Sequence, residues 1–351
     1  MDCPKIGGVE VGRICWKTAD SGVQNMRQRL RACSIWVALQ RCNAQVSPMS
    51  IELLCPAKIN WLLAITGRRE DGFHELVSLV APLAFGDRLR LNRGKDKRGI
   101  SLKIKGAELT DGPTNLAWRA TELFLKRFGL EGSIDIEIEK HIPIGAGLGG
   151  GSSDAVGVLK GLAALFKVDD EIALLELATE LGSDCPLFLK GEPVLMRGRG
   201  EQLEPLDENE RRMLDGTPIA LFKPAFGIST VWAFKALAAD SSQYANPGAV
   251  EGELDGWRDG KLPLSDLMQN SFESLVGQKY PSIPLVMDRI RRETGCQCLL
   301  SGSGSACFAL GQADFFGQIR EIARECWGES AFFQETTISD IGLTEAPGLS
   351  S

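Results

Sequence analysis

The chain has 351 residues, 44% hydrophobic and 24% charged, the balance of an ordinary soluble globule with length enough for two domains. Its formal net charge of −7 argues against bulk attraction to nucleic acid, so any phosphate site has to be local. No run of about 18 apolar residues occurs, so no transmembrane helix is expected.

Residues 1–50 are rich in Arg and Cys, show little periodicity, and carry one short apolar patch at 35–39. They read as a disordered extension outside the fold. Arg outnumbers acids between 27 and 41, which leaves two origins open: a transit peptide, which would place the protein in a plastid, or a misassigned start in a bacterial cytoplasmic protein. Four of the ten cysteines (Cys3, Cys15, Cys33, Cys42) lie in this stretch. Cys296 and Cys298 form C-x-C in an apolar run, with no second pair and two histidines in the whole chain. No zinc site is expected; the thiols read as small buried apolar groups in a reducing compartment.

From 51 the pattern becomes orderly. Strands are expected at 51–55 and 59–65, interrupted by Pro56-Ala57-Lys58, then at 76–83, 87–91 and 100–104. Asn115 opens a helix through Phe128, and 134–138 alternates as a strand does. Helices follow at 153–166, with Ser152 or Ser153 as N-cap, and at 172–181, opened by Asp169-Asp170 and ended by Gly182. A hairpin is expected at 194–201. A second domain starts at 216, with strands near 219–222, 298–300, 307–310 and 331–336. Its helices fall at 230–238, 264–267 with 271–276, 283–293 and 315–326, while 239–261, rich in Gly, Asp and Ser, reads as a long loop. The expected division is an extension at 1–50, domains at 51–215 and 216–340, and a tail at 341–351.

The stretch with most chemistry in it is Pro143-Ile144-Gly145-Ala146-Gly147-Leu148-Gly149-Gly150-Gly151-Ser152-Ser153-Asp154-Ala155. Five glycines in seven positions, between a strand and an apolar-faced helix, can aim backbone N–H groups at one point. Gly145, Gly147 and Gly150 also spell the dinucleotide fingerprint, with Asp169 downstream; but Asp169 opens a helix instead of ending a strand. No Lys-Ser/Thr follows the glycines, which excludes a P-loop. A second small-residue loop, Ser301-Gly302-Ser303-Gly304-Ser305, follows an apolar strand. Lys58 and Asp184 would each pass for a surface lysine and a capping aspartate. Together they supply a cation and a proton acceptor, which is what phosphorylation of a hydroxyl needs.

These residues resemble the GHMP kinases, the family of galactokinase, homoserine kinase, mevalonate kinase and phosphomevalonate kinase. The resemblance rests on Pro56-Ala57-Lys58-Ile59-Asn60 with 65–76, on the glycine loop, and on 181–186 with 300–305; it covers 52 to about 336. It implies a two-domain α+β fold with the active site in the cleft between domains, ATP as donor with Mg²⁺, Asp184 as catalytic base and Lys58 as its partner. The ATP contacts it implies are Pro143, Gly145, Ala146, Gly147, Leu148, Gly149, Gly150, Gly151, Ser152 and Ser153 at the phosphates, and Asn115 and Lys140 towards the adenosine. No protein metal ligand is implied. On the acceptor side Phe73 and His74 match a pair that holds a cytosine, with Asn60, Thr230, Phe234, Ser303 and Gly304 around it. Phe234 shares a helix face with Thr230 and is expected to close the stack opposite Phe73. The implied acceptor is the cytidyl diphosphate of methylerythritol, phosphorylated on its 2-hydroxyl in the non-mevalonate isoprenoid pathway. The chain departs from the family at Phe73, often Tyr, and at Asp154, Asn in some members. Two other readings stay open: a homoserine- or mevalonate-type kinase of the same family, and a non-catalytic nucleotide-binding protein. A monomer or weak homodimer acting on a small molecule is expected, with neither nucleic acid nor membrane as partner.

Overall fold

Strand β1 (Ser50–Arg68) runs 19 residues, turns, and returns as β2 (His74–Gly94), antiparallel to it over nearly its whole length. These residues open a computed structural model that describes residues 50–94 and 99–339; the expectations for the extension and the tail lie outside the described residues. The expected breaks at Pro56-Ala57-Lys58 and near 84–86 are absent as breaks. Pro56 has no N–H to give the ladder, and it lies opposite Gly86, where a Cβ would overlap the Cys55 carbonyl. The strands therefore continue through a register shift between Pro56 and Lys58, a bulge of the kind that re-aims one side chain.

The chain continues through β3 (Gly99–Lys105), α1 (Leu116–Phe128), β4 (Ser133–Glu139), α2 (Gly150–Phe166), α3 (Glu171–Leu181), α4 (Cys185–Lys190), β5 (Val194–Arg197), β6 (Gln202–Pro205) and α5 (Glu208–Leu214). It ends with β7 (Pro218–Lys223), α6 (Thr230–Ala238), α7 (Pro247–Arg258), β8 (Gln269–Asn270), α8 (Glu273–Lys279), α9 (Ser282–Thr294), β9 (Gln297–Leu300), β10 (Cys307–Leu310), α10 (Phe316–Trp327) and β11 (Phe332–Thr337), with a 3-10 turn at Leu264–Leu267. One mixed sheet has the order β3-β4-β2-β1-β8, and the β5–β6 hairpin pairs with the first part of β2, at residues 78–80. The other is antiparallel, β11-β7-β10-β9.

Two expectations need correction. The 239–261 stretch is not a loop: Asn246 caps α7, Pro247 takes its first turn, and Val250, Leu254 and Trp257 are buried at helical spacing. Helix α2 begins at Gly150 and not at Ser153. Its N-cap is Gly149, with φ 75° and no side-chain cap, so Ser152 and Ser153 lie inside the first turn. Helices α4 and α5 and the short strand β8 were not expected; most other elements fall within a few residues of expectation, including the Asp170 cap on α3, which accepts from Ala173 N at 2.9 Å.

Three apolar clusters hold the layers. One packs α1, α2 and α3 on the first half of the large sheet, through residues such as Leu91, Phe124, Ile136, Leu159 and Leu177. A second packs α6, α8, α9 and α10 on one face of the small sheet, through Leu237, Val276, Ile290 and Ile319. The third joins the sheets, bringing Ile59, Trp61 and Leu79 against Leu221, Phe308 and Trp257. Fully burying each such side chain stabilises by about 1.5–3 kcal/mol. Among the described cysteines, Cys55, Cys185, Cys296, Cys298 and Cys307 are buried and unbridged. No described helix is long and apolar enough to cross a membrane.

Candidate active site

The glycine loop alternates its residue types for a reason visible in the structure. Ala146 and Leu148 are buried in the core between the sheets, while Gly145, Gly147 and Gly149 between them take left-handed φ of 63°, 78° and 75°. A side chain at Gly147 would overlap the carbonyl oxygen of Ser301, and one at Gly149 would come within 2.7 Å of the Phe188 ring and 3.0 Å of Lys58 Cγ. The loop is thus clamped between its own core anchors and the second loop. Because Gly149 offers no cap, the first bond of α2 is Ser153 N to Gly149 O at 3.0 Å, and the N–H groups of Gly150, Gly151 and Ser152 have no partner within the helix. Those donors and the helix dipole suit an anion.

The 301–305 loop docks directly on this cradle. Ala306 N donates to Ala146 O at 3.0 Å, and Ser301 Oγ donates to Gly147 O at 3.3 Å. Ser303 Oγ meets Thr230 Oγ1 at 2.9 Å, which brings the start of α6 to the loop. A Cβ at Gly304 would press on Leu300 at 2.9 Å and Ile228 at 3.2 Å, so that glycine is the packed side of the turn.

Lys58 lies just past the register shift in β1, and its backbone N donates not to β2 but to Leu148 O, at 3.0 Å. Its ammonium, 7% exposed, donates to Asn60 Oδ1 at 2.7 Å and stands 3.7 Å from the Asp184 carboxylate. Asn60 is oriented in turn by donating to Ser78 Oγ at 2.9 Å, and Ser78 donates to Leu62 O at 2.6 Å. Asp184 occupies the N-cap position of α4 but makes no capping bond. Its carboxylate stays 42% exposed beside the buried Lys58 ammonium.

The acceptor residues divide. His74 is buried against Phe234, ring centroids 5.1 Å apart, and edge-on to Tyr244 at 6.1 Å; its Nε2 has no partner. Burial, helped by the Arg68 charge, lowers the imidazole pKa and keeps it neutral at neutral pH. Phe73 is 51% exposed with the Arg199 guanidinium 4.8 Å over one face. Phe234 packs on His74 and, edge-on at 4.9 Å, on Phe272.

Two residues assigned to the adenosine end have other attachments. Asn115 caps α1, accepting from Ala117 N at 2.9 Å and donating to Thr110 O at 3.0 Å. It stays near the cradle, since Leu116 lies 3.8 Å from a Cβ at Gly151. Lys140 does not present its ammonium to the surface. It is buried between Asp87, with which it pairs closely, and Asp154 at 2.7 Å, directly beneath Gly150. Asp87 also accepts from His141 N and Ile142 N at 2.6 and 2.8 Å, so this cluster fixes the entry to the glycine loop. Asp154 therefore has a task here: burial drives its pKa up, to about 7, and Asp87 adds repulsion while the Lys140 ammonium pulls the other way.

Several site residues escaped the sequence reading. Asn270 donates to both Leu300 O and Gly302 O at 2.8 Å, holding the second loop in place. Lys223, buried with a pKa lowered by burial, donates to Pro224 O and Phe226 O at 2.7 and 2.9 Å and shapes the turn whose Gly227 abuts Gly145. Neither belongs to a local pattern. Asp87, between two apolar strand segments, was the one visible signal: a buried acid in a strand demands a partner.

A phosphate cradle with a lysine–carboxylate pair beside it belongs to a small-molecule kinase, and the model for the GHMP kinases N terminal domain matches residues 115–192. The fold agrees. A homoserine kinase from Cytophaga hutchinsonii, 20% identical, superposes with a TM-score of 0.67 over 87% of this chain and 99% of its own. A solved 4-(cytidine 5'-diphospho)-2C-methyl-D-erythritol kinase is 37% identical, with a TM-score of 0.66 over 82% of this chain and 99% of its own. The 4-diphosphocytidyl-2-C-methyl-D-erythritol kinase of Thermus thermophilus is 37% identical over 280 residues, 80% of this chain and 94% of the relative. That of Methylacidiphilum infernorum is 36% identical over 290 residues, 79% and 94%. The chain belongs to the 4-diphosphocytidyl-2-C-methyl-D-erythritol kinase family of GHMP kinases, and it is a phosphotransferase.

Proposed function

We propose that the chain transfers the γ-phosphoryl group of ATP to the 2-hydroxyl of 4-diphosphocytidyl-2-C-methyl-D-erythritol, a step of the non-mevalonate route to isoprenoid precursors. The observation that carries the catalytic assignment is the Lys58–Asp184 pair at 3.7 Å, with an uncapped, half-exposed carboxylate on the lip of the glycine cradle. Asp184 takes the proton of the acceptor hydroxyl as its oxygen attacks the γ-phosphorus in line; the bond to the β–γ bridging oxygen breaks and ADP leaves. Lys58, steadied by Asn60, offsets charge on the transferring group.

The free N–H groups of Gly150, Gly151 and Ser152 fit a polyphosphate, and the glycines leave room for it to approach the backbone. A Mg²⁺ carried by the phosphates would find the Asp184 carboxylate beside the cradle, next to Lys58. Such an ion would neutralise charge on the phosphates during transfer. Asn115 stands towards the nucleoside end. At the acceptor end the neutral imidazole of His74 has an unpaired nitrogen for the edge of a cytosine, and the exposed face of Phe73 offers a stacking surface. Thr230 and Ser303, hydrogen-bonded to each other, and Asn60, bonded to Lys58, are assigned to the acceptor as well.

The test is phosphate transfer from ATP to three alcohols: the cytidyl acceptor, homoserine and mevalonate. Turnover of the first with CDP as a competitor is expected. Turnover of homoserine or mevalonate alone would favour a sibling kinase, and tight ATP binding with no transfer to any would remove the enzyme reading.

A further inference from the structure

Arg199 sits on the turn between β5 and β6, a turn tied to β2 by Leu76 N donating to Gly198 O at 2.8 Å, two residues beyond His74. One end of its reach is the base seat, since its guanidinium lies 4.8 Å over Phe73. At the other, a Cβ on Gly200 would lie 3.8 Å from the Cβ of Ser183, the residue before Asp184. The turn thus lies between the aromatic seat and the proposed base. Its backbone N–H is taken up by Glu201 at 2.7 Å, but the guanidinium N–H groups have no hydrogen-bond or ion-pair partner among the described residues. Asp71 feels the Arg199 charge, yet it already accepts from Phe73 N and Arg69. Lys58 is engaged with Asn60 and Asp184.

An alcohol linked through a diphosphate to a base held at Phe73 and His74, with its hydroxyl at Asp184, must run two phosphates across the space between. We propose that Arg199 binds that diphosphate and so selects nucleoside-diphosphate acceptors over uncharged alcohols. A guanidinium stacked on a ring keeps its in-plane N–H groups free, and those match phosphate oxygens two at a time. The assignment rests on the acceptor proposed above.

The experiment compares wild type, Arg199→Ala and Arg199→Lys. Steady-state kinetics are measured with the cytidyl acceptor, and calorimetric binding with CDP and with cytidine. Loss of a charge-assisted contact raises the acceptor KM of Arg199→Ala by roughly 10- to 100-fold, with kcat and the ATP KM within about twofold of wild type. CDP binding weakens by the same factor, cytidine binding stays as it was, and Arg199→Lys recovers part of the loss. An unchanged acceptor KM, or equal weakening of CDP and cytidine, would overturn the assignment; the second result would mean that Arg199 only seats Phe73. A wild-type protein that fails to phosphorylate the cytidyl acceptor removes the functional reading instead. The CDP-against-cytidine comparison still decides the role of Arg199 in that case.

Discussion

At the scale of single residues, the groups proposed to act on the substrates are distinct from the groups that hold them in place. Residue type plus family resemblance pointed to Lys58 and Asp184 as a pair, and the structure brings them within 3.7 Å. Lys140 was not legible, because sequence cannot say which way a strand-end lysine points; here it is consumed by Asp87 and Asp154. That buried trio has a pH signature. The folded-state pKa of Asp154, raised to about 7 from 3.8, means that folding favours its protonated form. The stability this contributes is full below the unfolded value and is lost as pH rises towards 7. The urea midpoint of wild type is expected to fall between pH 5 and pH 8 relative to that of Asp154→Asn, measured side by side. A gap between the two that does not change with pH would contradict it.

At the scale of elements, the hydrophobic period located most strands and helices, and it failed where a long-range contact overrode a local signal. Pro56 and Gly86 look like strand breakers, but opposite each other they make a bulge that β1 and β2 run through. Helix α7 hid behind its Gly and acid content, although Asn246-Pro247 and the spacing of Val250, Leu254 and Trp257 were in view. Two glycine substitutions check these readings in opposite directions. Gly252→Ala, in α7 with open space around it, is expected to stabilise by about 0.5–1 kcal/mol in denaturant titration; a loss would argue that no helix is there. Gly147→Ala sets a Cβ into the Ser301 carbonyl at a left-handed φ, which separates the two loops. An ATP Kd weakened by at least roughly 10-fold is expected, since the loops form one cradle; unchanged binding would mean that they act apart.

At the scale of the molecule, the two sheets are tied by a core that neither completes alone. Ile59, Trp61 and Leu79 from the large sheet meet Leu221, Phe308 and Trp257 from the rest, and the glycine loop is anchored in that same cluster through Ala146 and Leu148. Residues 50–215 expressed by themselves are therefore expected to lack fixed tertiary structure by near-ultraviolet circular dichroism, and a folded fragment would contradict the shared core. The same arrangement explains why the site is built where it is: the seam between sheets is where the 301–305 loop can reach the glycine loop and where α6 can reach His74. The measurement that bears most directly on the mechanism uses Asp184→Asn. Its ATP affinity is expected to match wild type within about threefold by calorimetry, while single-turnover transfer to the cytidyl acceptor slows by roughly 10²–10⁴-fold. Transfer at the wild-type rate would contradict the account, because no carboxylate at Asp184 would then be needed to take the proton.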